Sequence, residues 1–150
     1  MREDYKRVFA KINLDAIRQN VENMKANLSQ ETQVLGVIKT DGYGHGAIPI
    51  AQELEKFDYV YGFAVATVEE ALVLRNAGIC KPLLILGYAF PYSYEALIEK
   101  EVRMAVFRKD TLQELSAAVK RLREKGIECC AKVNIKVDTG MSRIGVFPDD

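Results

Sequence analysis

A short apolar run followed by a stripe of apolar residues at helical spacing recurs along this chain, with only brief links between the two. The alternation is read in about five strand-helix units. Val34 to Lys39 is a continuous apolar run that ends on a lysine, the pattern of a strand buried in a parallel sheet. Ala47, Ile48, Ala51 and Leu54 then mark a helix. Val60 to Val65, Leu83 to Leu86 and Val102 to Phe107 read as further strands. Thr67 with Glu70 makes a capping-box signature, and Gly78 closes that helix. Ser93 is predicted to cap a short helix over Ala96 and Leu97. Asp110 is predicted to cap a longer one carrying Leu112, Leu115, Val119 and Leu122, which Gly126 ends. Cys130 to Ile135 is the final strand, and it too leads into a lysine, Lys136.

At the start of the chain, Val8, Ala10, Ile12 and Leu14 alternate with Phe9, Lys11 and Asn13, which predicts a strand. Asp15 then serves as N-cap for a helix through Ile17, Val21, Met24 and Leu28. Strands alternating with helices over short links call for a parallel sheet, and a doubly wound sheet and a β/α barrel share that local grammar. A complete barrel takes roughly 250 residues and this chain has 150, so a barrel here would be partial, with about three units outside the chain. Such an open edge would expose strand backbone and apolar surface.

Composition excludes more than it assigns. Lys plus Arg and Asp plus Glu both number 21, so nothing in the charge balance calls for nucleic acid or an anionic membrane. No run approaches the ~18 apolar residues of a membrane span. The segment MREDYKRVFAKINL mixes charges early, which reads against a secretory signal. Cys80, Cys129 and Cys130 have neither disulfide nor metal-ligand spacing. Cys129 and Cys130 lie in an apolar run and read as buried free thiols, which suits a reducing cytoplasm. One histidine, His45, without a second ligand beside it, makes zinc a poor reading.

Two clusters could carry chemistry. Lys39 ends an apolar strand and opens a loop with Gly42, Gly44 and Gly46. Strand C-termini face the active site in parallel α/β folds. Partial desolvation there favours a neutral amine, the form that attacks an aldehyde cofactor. The structural alternative, a lysine snorkelling from a strand end and pairing with Asp41, is favoured by position alone. The second cluster is KVDTGMSRIG, Lys136 to Gly145. Lys136 and Lys39 both end strands, so both belong to one rim, within reach of Arg143, with Asp138 as a compensating anion or simply a surface partner. Asp41 with Asp138 is also a candidate carboxylate pair for hydrolysis, with no fixed spacing. Tyr88, Tyr92 and Tyr94 flank a loop after a strand and read either as rim residues, the reading favoured slightly, or as a helix contact.

Three segments in order, AKINLDAIRQNV (Ala10 to Val21), VIKTDGYGHG (Val37 to Gly46) and KVDTGMSRIG, resemble the alanine racemase family. The resemblance covers nearly the whole chain; its second motif is highly specific and its third nearly as specific. It implies an α/β fold, a parallel β/α barrel of TIM type, present here in part. Residues 15–150 would be the incomplete N-terminal barrel that binds pyridoxal phosphate. Residues 1–14 would hold a strand that normally associates with the C-terminal domain. Lys39 resembles the lysine that binds the cofactor covalently and moves a proton on one face of the substrate. Tyr43 resembles the tyrosine that hydrogen-bonds the phosphate, and Arg143 the arginine near the phenolic oxygen and the substrate carboxylate. Lys136 resembles a lysine often carbamylated in the family; no metal is implied.

The activity so implied is interconversion of L-alanine and D-alanine for peptidoglycan by a homodimeric, bacterial, cytoplasmic isomerase. The family's opposite-face base comes from the partner's second domain, so this chain alone is expected to have weak or no racemization. Kept beside that reading are a non-catalytic racemase fragment, a single-domain pyridoxal-phosphate carrier, a decarboxylase on a related barrel, and a racemase for serine or another amino acid.

Overall fold

A computed structural model describes residues 8–147. Five parallel strands form one sheet: β1 (Val34–Val37), β2 (Val60–Val65), β3 (Leu83–Ile85), β4 (Val102–Val106) and β5 (Val133–Ile135). Their spatial order is their order in sequence. A doubly wound sheet reverses direction at a switch point, and this one never does. Right-handed crossovers that always step the same way put every connecting helix on one face. The sheet is therefore a run of barrel wall, which settles the choice that periodicity left open.

The helices are α1 (Leu14–Ala26), α3 (Ala47–Leu54), α4 (Val68–Asn76), α5 (Tyr94–Glu99) and α6 (Lys109–Glu124), with a short helical element α2 (Lys39–Gly44) between β1 and α3 and a 3-10 turn (Pro91–Ser93) before α5. Register shows how the core forms. Phe63 aligns with Leu83 and Leu83 with Val102; Val65 aligns with Ile85 and Ile85 with Met104. These residues are at most 1 % exposed and share one cluster with Leu54, Leu74, Leu97, Leu115 and Leu122 from the helices. The other face carries Leu35, Val37, Gly62, Ala64, Leu84 and Arg103. There Leu35 and Val37 stay about two-fifths exposed, at 38% and 43%.

Several expectations change. β1 is half exposed, because no strand pairs with its outer edge among the described residues. At the opposite edge Ile135, in register with buried Val106 on the helix-covered face, is 71% exposed, because no helix follows β5 among the described residues. No strand forms over described residues 8–13, and Val8 and Phe9 are exposed; residues 1–7 lie outside the described residues. An alternating pattern becomes a strand only where a neighbour supplies backbone partners. Asn13, not Asp15, caps α1, its side chain accepting from the Ala16 amide at 3.2 Å.

Arg108 rather than Asp110 occupies the α6 N-cap. Asp110 sits in the first turn, accepting from the Thr111 amide and binding the Arg108 guanidinium. Ser93 holds the α5 cap position, but its hydroxyl donates back to the Phe90 carbonyl. β5 begins only at Val133, so Cys129 is half-buried and Cys130 exposed instead of both being interior. Of the three tyrosines Tyr92 is exposed, as a rim residue would be, whereas Tyr94 is the helix contact: it is buried and shares one face of α5 with Leu97 and Ile98, at i, i+3 and i+4. The Thr67–Glu70 capping box is present.

Candidate functional site

β1 ends against β2, with the Ile38 amide bonded to the Ala64 carbonyl at 2.9 Å. The backbone then coils the wrong way for L-residues. Thr40, Asp41, Gly42 and Tyr43 all lie in the left-handed region, with φ of 54°, 51°, 62° and 56°. That conformation costs roughly 1–2 kcal/mol at a residue with a Cβ, so the turn needs outside support. The Gly42 amide donates to the Ile38 carbonyl at 2.9 Å and the Gly46 amide to Asp41 at 2.8 Å. The Asp41 carboxylate accepts from the Ala47 amide at 2.8 Å, at the start of α3. His45 Nδ1 lies 3.1 Å from the Gly42 carbonyl and 3.0 Å from that of Tyr43. Two carbonyls can only accept, which assigns the proton to Nδ1. At Gly42 a Cβ would meet Ile50 at 3.0 Å in addition to the positive φ.

The turn sets the surroundings of Lys39. Its side chain is half-buried, and it forms no ion pair among the described residues. Asp41, the partner offered by the structural alternative, is engaged with α3. Instead Lys39 Nζ stands 5.9 Å from the centroid of the Tyr43 ring, and that ring is 59% exposed. This is within cation–π range. Lys39 and Tyr43 are thus brought together at the C-terminal end of β1.

Lys136 extends the ladder one residue past β5, its amide donating to the Val106 carbonyl at 2.9 Å. The chain then closes on itself: the Val146 amide donates to the Lys136 carbonyl and the Asp138 amide to the Val146 carbonyl, both at 2.9 Å. Gly145 permits that closure, since a Cβ there would fall 2.6 Å from the Asp138 nitrogen. Inside the loop Asp138 Oδ1 accepts from Gly140 and Ser142 amides at 2.9 and 3.0 Å. Among the described residues Asp138 makes no ion pair with Lys136 or Arg143 within 4 Å, although the Lys136 charge still acts on its carboxyl. Ser142 and then Gly140 hold its carboxyl below the usual aspartate range. Lys136 is half-buried and Arg143 exposed, both on this loop. Lys39 and Lys136 end the first and fifth strands at the same end of the sheet, as their positions predict.

Sequence reasoning missed the long-range role of Glu70. Its Oε1 accepts from the Thr40 amide at 2.7 Å, across thirty residues. Only the local capping signature was visible beforehand. No helix among the described residues is long and apolar enough to cross a membrane, and no group of His, Cys, Asp and Glu among them suits a metal.

Residues 12–150 match the family described as alanine racemase, N-terminal domain. The chain is 43% identical to an alanine racemase of Desulfovibrio desulfuricans, over 95% of this chain and 37% of that one. A solved alanine racemase of Clostridium difficile 630 superposes with a TM-score of 0.85 at 40% identity, covering 93% of this chain and 35% of that one. A histidine racemase of Leuconostoc mesenteroides subsp. sake superposes at 0.75 with 27% identity, covering 90% and 34%. The chain thus spans about a third of the length of the relatives it matches.

Proposed function

The chain belongs to the alanine racemase family, and from that premise we propose that it supplies the lysine-bearing part of a pyridoxal-phosphate-dependent racemase acting on alanine. The observation that carries this reading is the Lys39 amine. It stands at the end of β1, half-buried, without a carboxylate partner among the described residues, over the Tyr43 ring. No carboxylate has to be displaced from the Lys39 amine before it meets an aldehyde, since Asp41 is engaged with α3.

The donor set suits pyridoxal phosphate. Lys39 offers the amine for the aldehyde, Tyr43 a phenol for a phosphate oxygen, and Arg143 a guanidinium for the phenolic oxygen and the substrate carboxylate. When bound, the cofactor supplies the electron sink that acidifies the amino-acid α-proton. Lys39 takes or returns that proton on one face. Lys136, carbamylated, changes from cation to anion and holds Arg143 through a charge-assisted hydrogen bond.

In this reading residues 15–150 are part of the cofactor-binding barrel, and residues 1–14 associate with a second domain. Two-base turnover draws on the part of the relatives' length outside the matched span, in a homodimer whose partner supplies the opposite-face base. The product, D-alanine, serves peptidoglycan in a bacterial cytoplasm. The histidine racemase likeness favours, as a second reading, a racemase for another amino acid on the same lysine.

The test is stoichiometric pyridoxal phosphate, borohydride reduction and peptide mass mapping of the purified chain. A reduced adduct at Lys39 that disappears in Lys39→Ala supports the reading. Adducts spread over the surface lysines, with no preference for Lys39, would sink it. An exchange assay with D- and L-alanine, run beside one with histidine, separates the two substrate readings.

A further inference from the structure

Glu70 has two carboxylate oxygens, and the capping box uses the carboxylate weakly. Its bond from the Thr67 amide is 3.4 Å, whereas Ala66 donates to Oε2 at 2.7 Å and Thr40 donates to Oε1 at 2.7 Å. The short bonds therefore go to the residue after β2 and to the first residue after Lys39, not to α4 itself. Thr40 opens the left-handed turn, is β-branched, and has φ of 54°, a combination a free chain avoids. Asp41 and His45 brace the far side of the turn, and Glu70 is the side chain that grips its first peptide.

We propose that Glu70 is a positioning residue for Lys39: by holding the Thr40 amide it fixes the peptide from which the Lys39 side chain departs, and so the direction in which the amine faces a carbonyl ligand. The proposal rests on the reading of Lys39 as the cofactor lysine. It differs from a capping role in a way that variants separate. Thr67→Ala removes the hydroxyl that accepts from the Glu70 amide at 3.3 Å but leaves the grip on Thr40. Glu70→Ala removes both functions. Glu70→Gln keeps one acceptor oxygen and turns an amide N–H₂ toward the other donor, so it restores one grip at most.

The first readout needs no cofactor. Amide exchange of Thr40 is compared with that of core Leu74 in each variant of the chain. A lost charge-assisted bond at an exposed residue raises Thr40 exchange by about tenfold relative to Leu74 in Glu70→Ala. Thr67→Ala lowers thermal stability but leaves that ratio unchanged. The second readout is the share of borohydride-fixed pyridoxal phosphate on Lys39 among all lysines. It falls by about the same factor in Glu70→Ala and stays unchanged in Thr67→Ala. Glu70→Ala with wild-type Thr40 exchange, or with an undiminished Lys39 share, overturns the proposal. If the wild-type chain itself forms no Lys39 adduct, the cofactor reading fails, and the Thr40 exchange ratio still decides whether Glu70 holds the turn.

Discussion

Asp138 Oδ1 accepts a hydrogen bond from the Ser142 amide at 3.0 Å, so its carboxylate is turned to the backbone of the loop that carries Arg143. The folded-state titration of Asp138 is depressed, first by Ser142 and then by Gly140. A depressed carboxyl contributes stability above its unfolded value of about 3.9, and that contribution is lost as pH falls through the lower folded value. The amide proton shifts of Ser142 and Gly140 should therefore titrate together, with a midpoint below about pH 3.9. Asp138→Ala should abolish the titration and raise exchange at both amides by about tenfold. A midpoint at or above the ordinary aspartate value would show that the carboxylate is not held by these donors.

Arg75 gives a prediction at the opposite end of the sheet. Its guanidinium donates to the carbonyls of Ile79, Lys81 and Lys100 at 2.6, 2.8 and 2.9 Å, tying the segments that lead into β3 and β4. Arg75→Ala leaves those acceptors without their charged donor and should cost about 2–3 kcal/mol in urea unfolding. Arg75→Lys should recover only part, because an ammonium lacks the planar fork. The end of a barrel away from the strand C-termini serves stability, so neither variant should change labelling of Lys39. A change below about 0.5 kcal/mol, the ordinary range for surface substitutions, would assign Arg75 to the solvated surface.

Part of this architecture was legible in the residues. β2 occupies Val60–Val65 as its apolar run predicts, because a central strand is buried on both sides and reads as continuous. The Thr67–Glu70 signature was readable because both partners sit within one turn. The left-handed turn was not. Thr40 and Tyr43 disfavour it, and the bonds that impose it include one from Glu70, thirty residues away, which no local pattern encodes. Asp138 misled for a related reason: a carboxylate between two cations suggests a salt bridge, yet the loop folds back so that the Gly140 and Ser142 amides both reach Oδ1. Lys39 and Lys136 were placed correctly because position at a strand end follows from chain order alone.

Glycine substitutions separate sterics from conformation. A Cβ on Gly62 would fall 2.1 Å from the Pro82 carbonyl oxygen, the atom that accepts the Phe63 amide bond joining β2 to the start of β3. Backbone cannot give way there without breaking the pairing, so Gly62→Ala should cost about 3 kcal/mol or more. Gly78 has open space at its Cβ but a φ of +87°. Gly78→Ala should cost about 1–2 kcal/mol, the left-handed penalty alone. Thermal and urea unfolding of the pair check the order, and equal losses would mean that β2 and β3 can separate without cost at this point.

Tyr43 lets the ring be tested apart from the phenol. Tyr43→Phe keeps an aromatic face under Lys39 Nζ, which lies 5.9 Å from the ring centroid. It removes only the hydroxyl that the proposed function assigns to a phosphate oxygen. Affinity for pyridoxal phosphate should then fall by about tenfold, the scale of one hydrogen bond to a charged group. Affinity for pyridoxal, which has the aldehyde and no phosphate, should be the same in both proteins. Tyr43→Leu removes the ring as well, and should weaken both ligands to the extent that the cation–π contact places the amine. If Tyr43→Phe weakened pyridoxal as much as pyridoxal phosphate, the phenol would be acting on Lys39 or on the turn, and the phosphate would have to be held elsewhere.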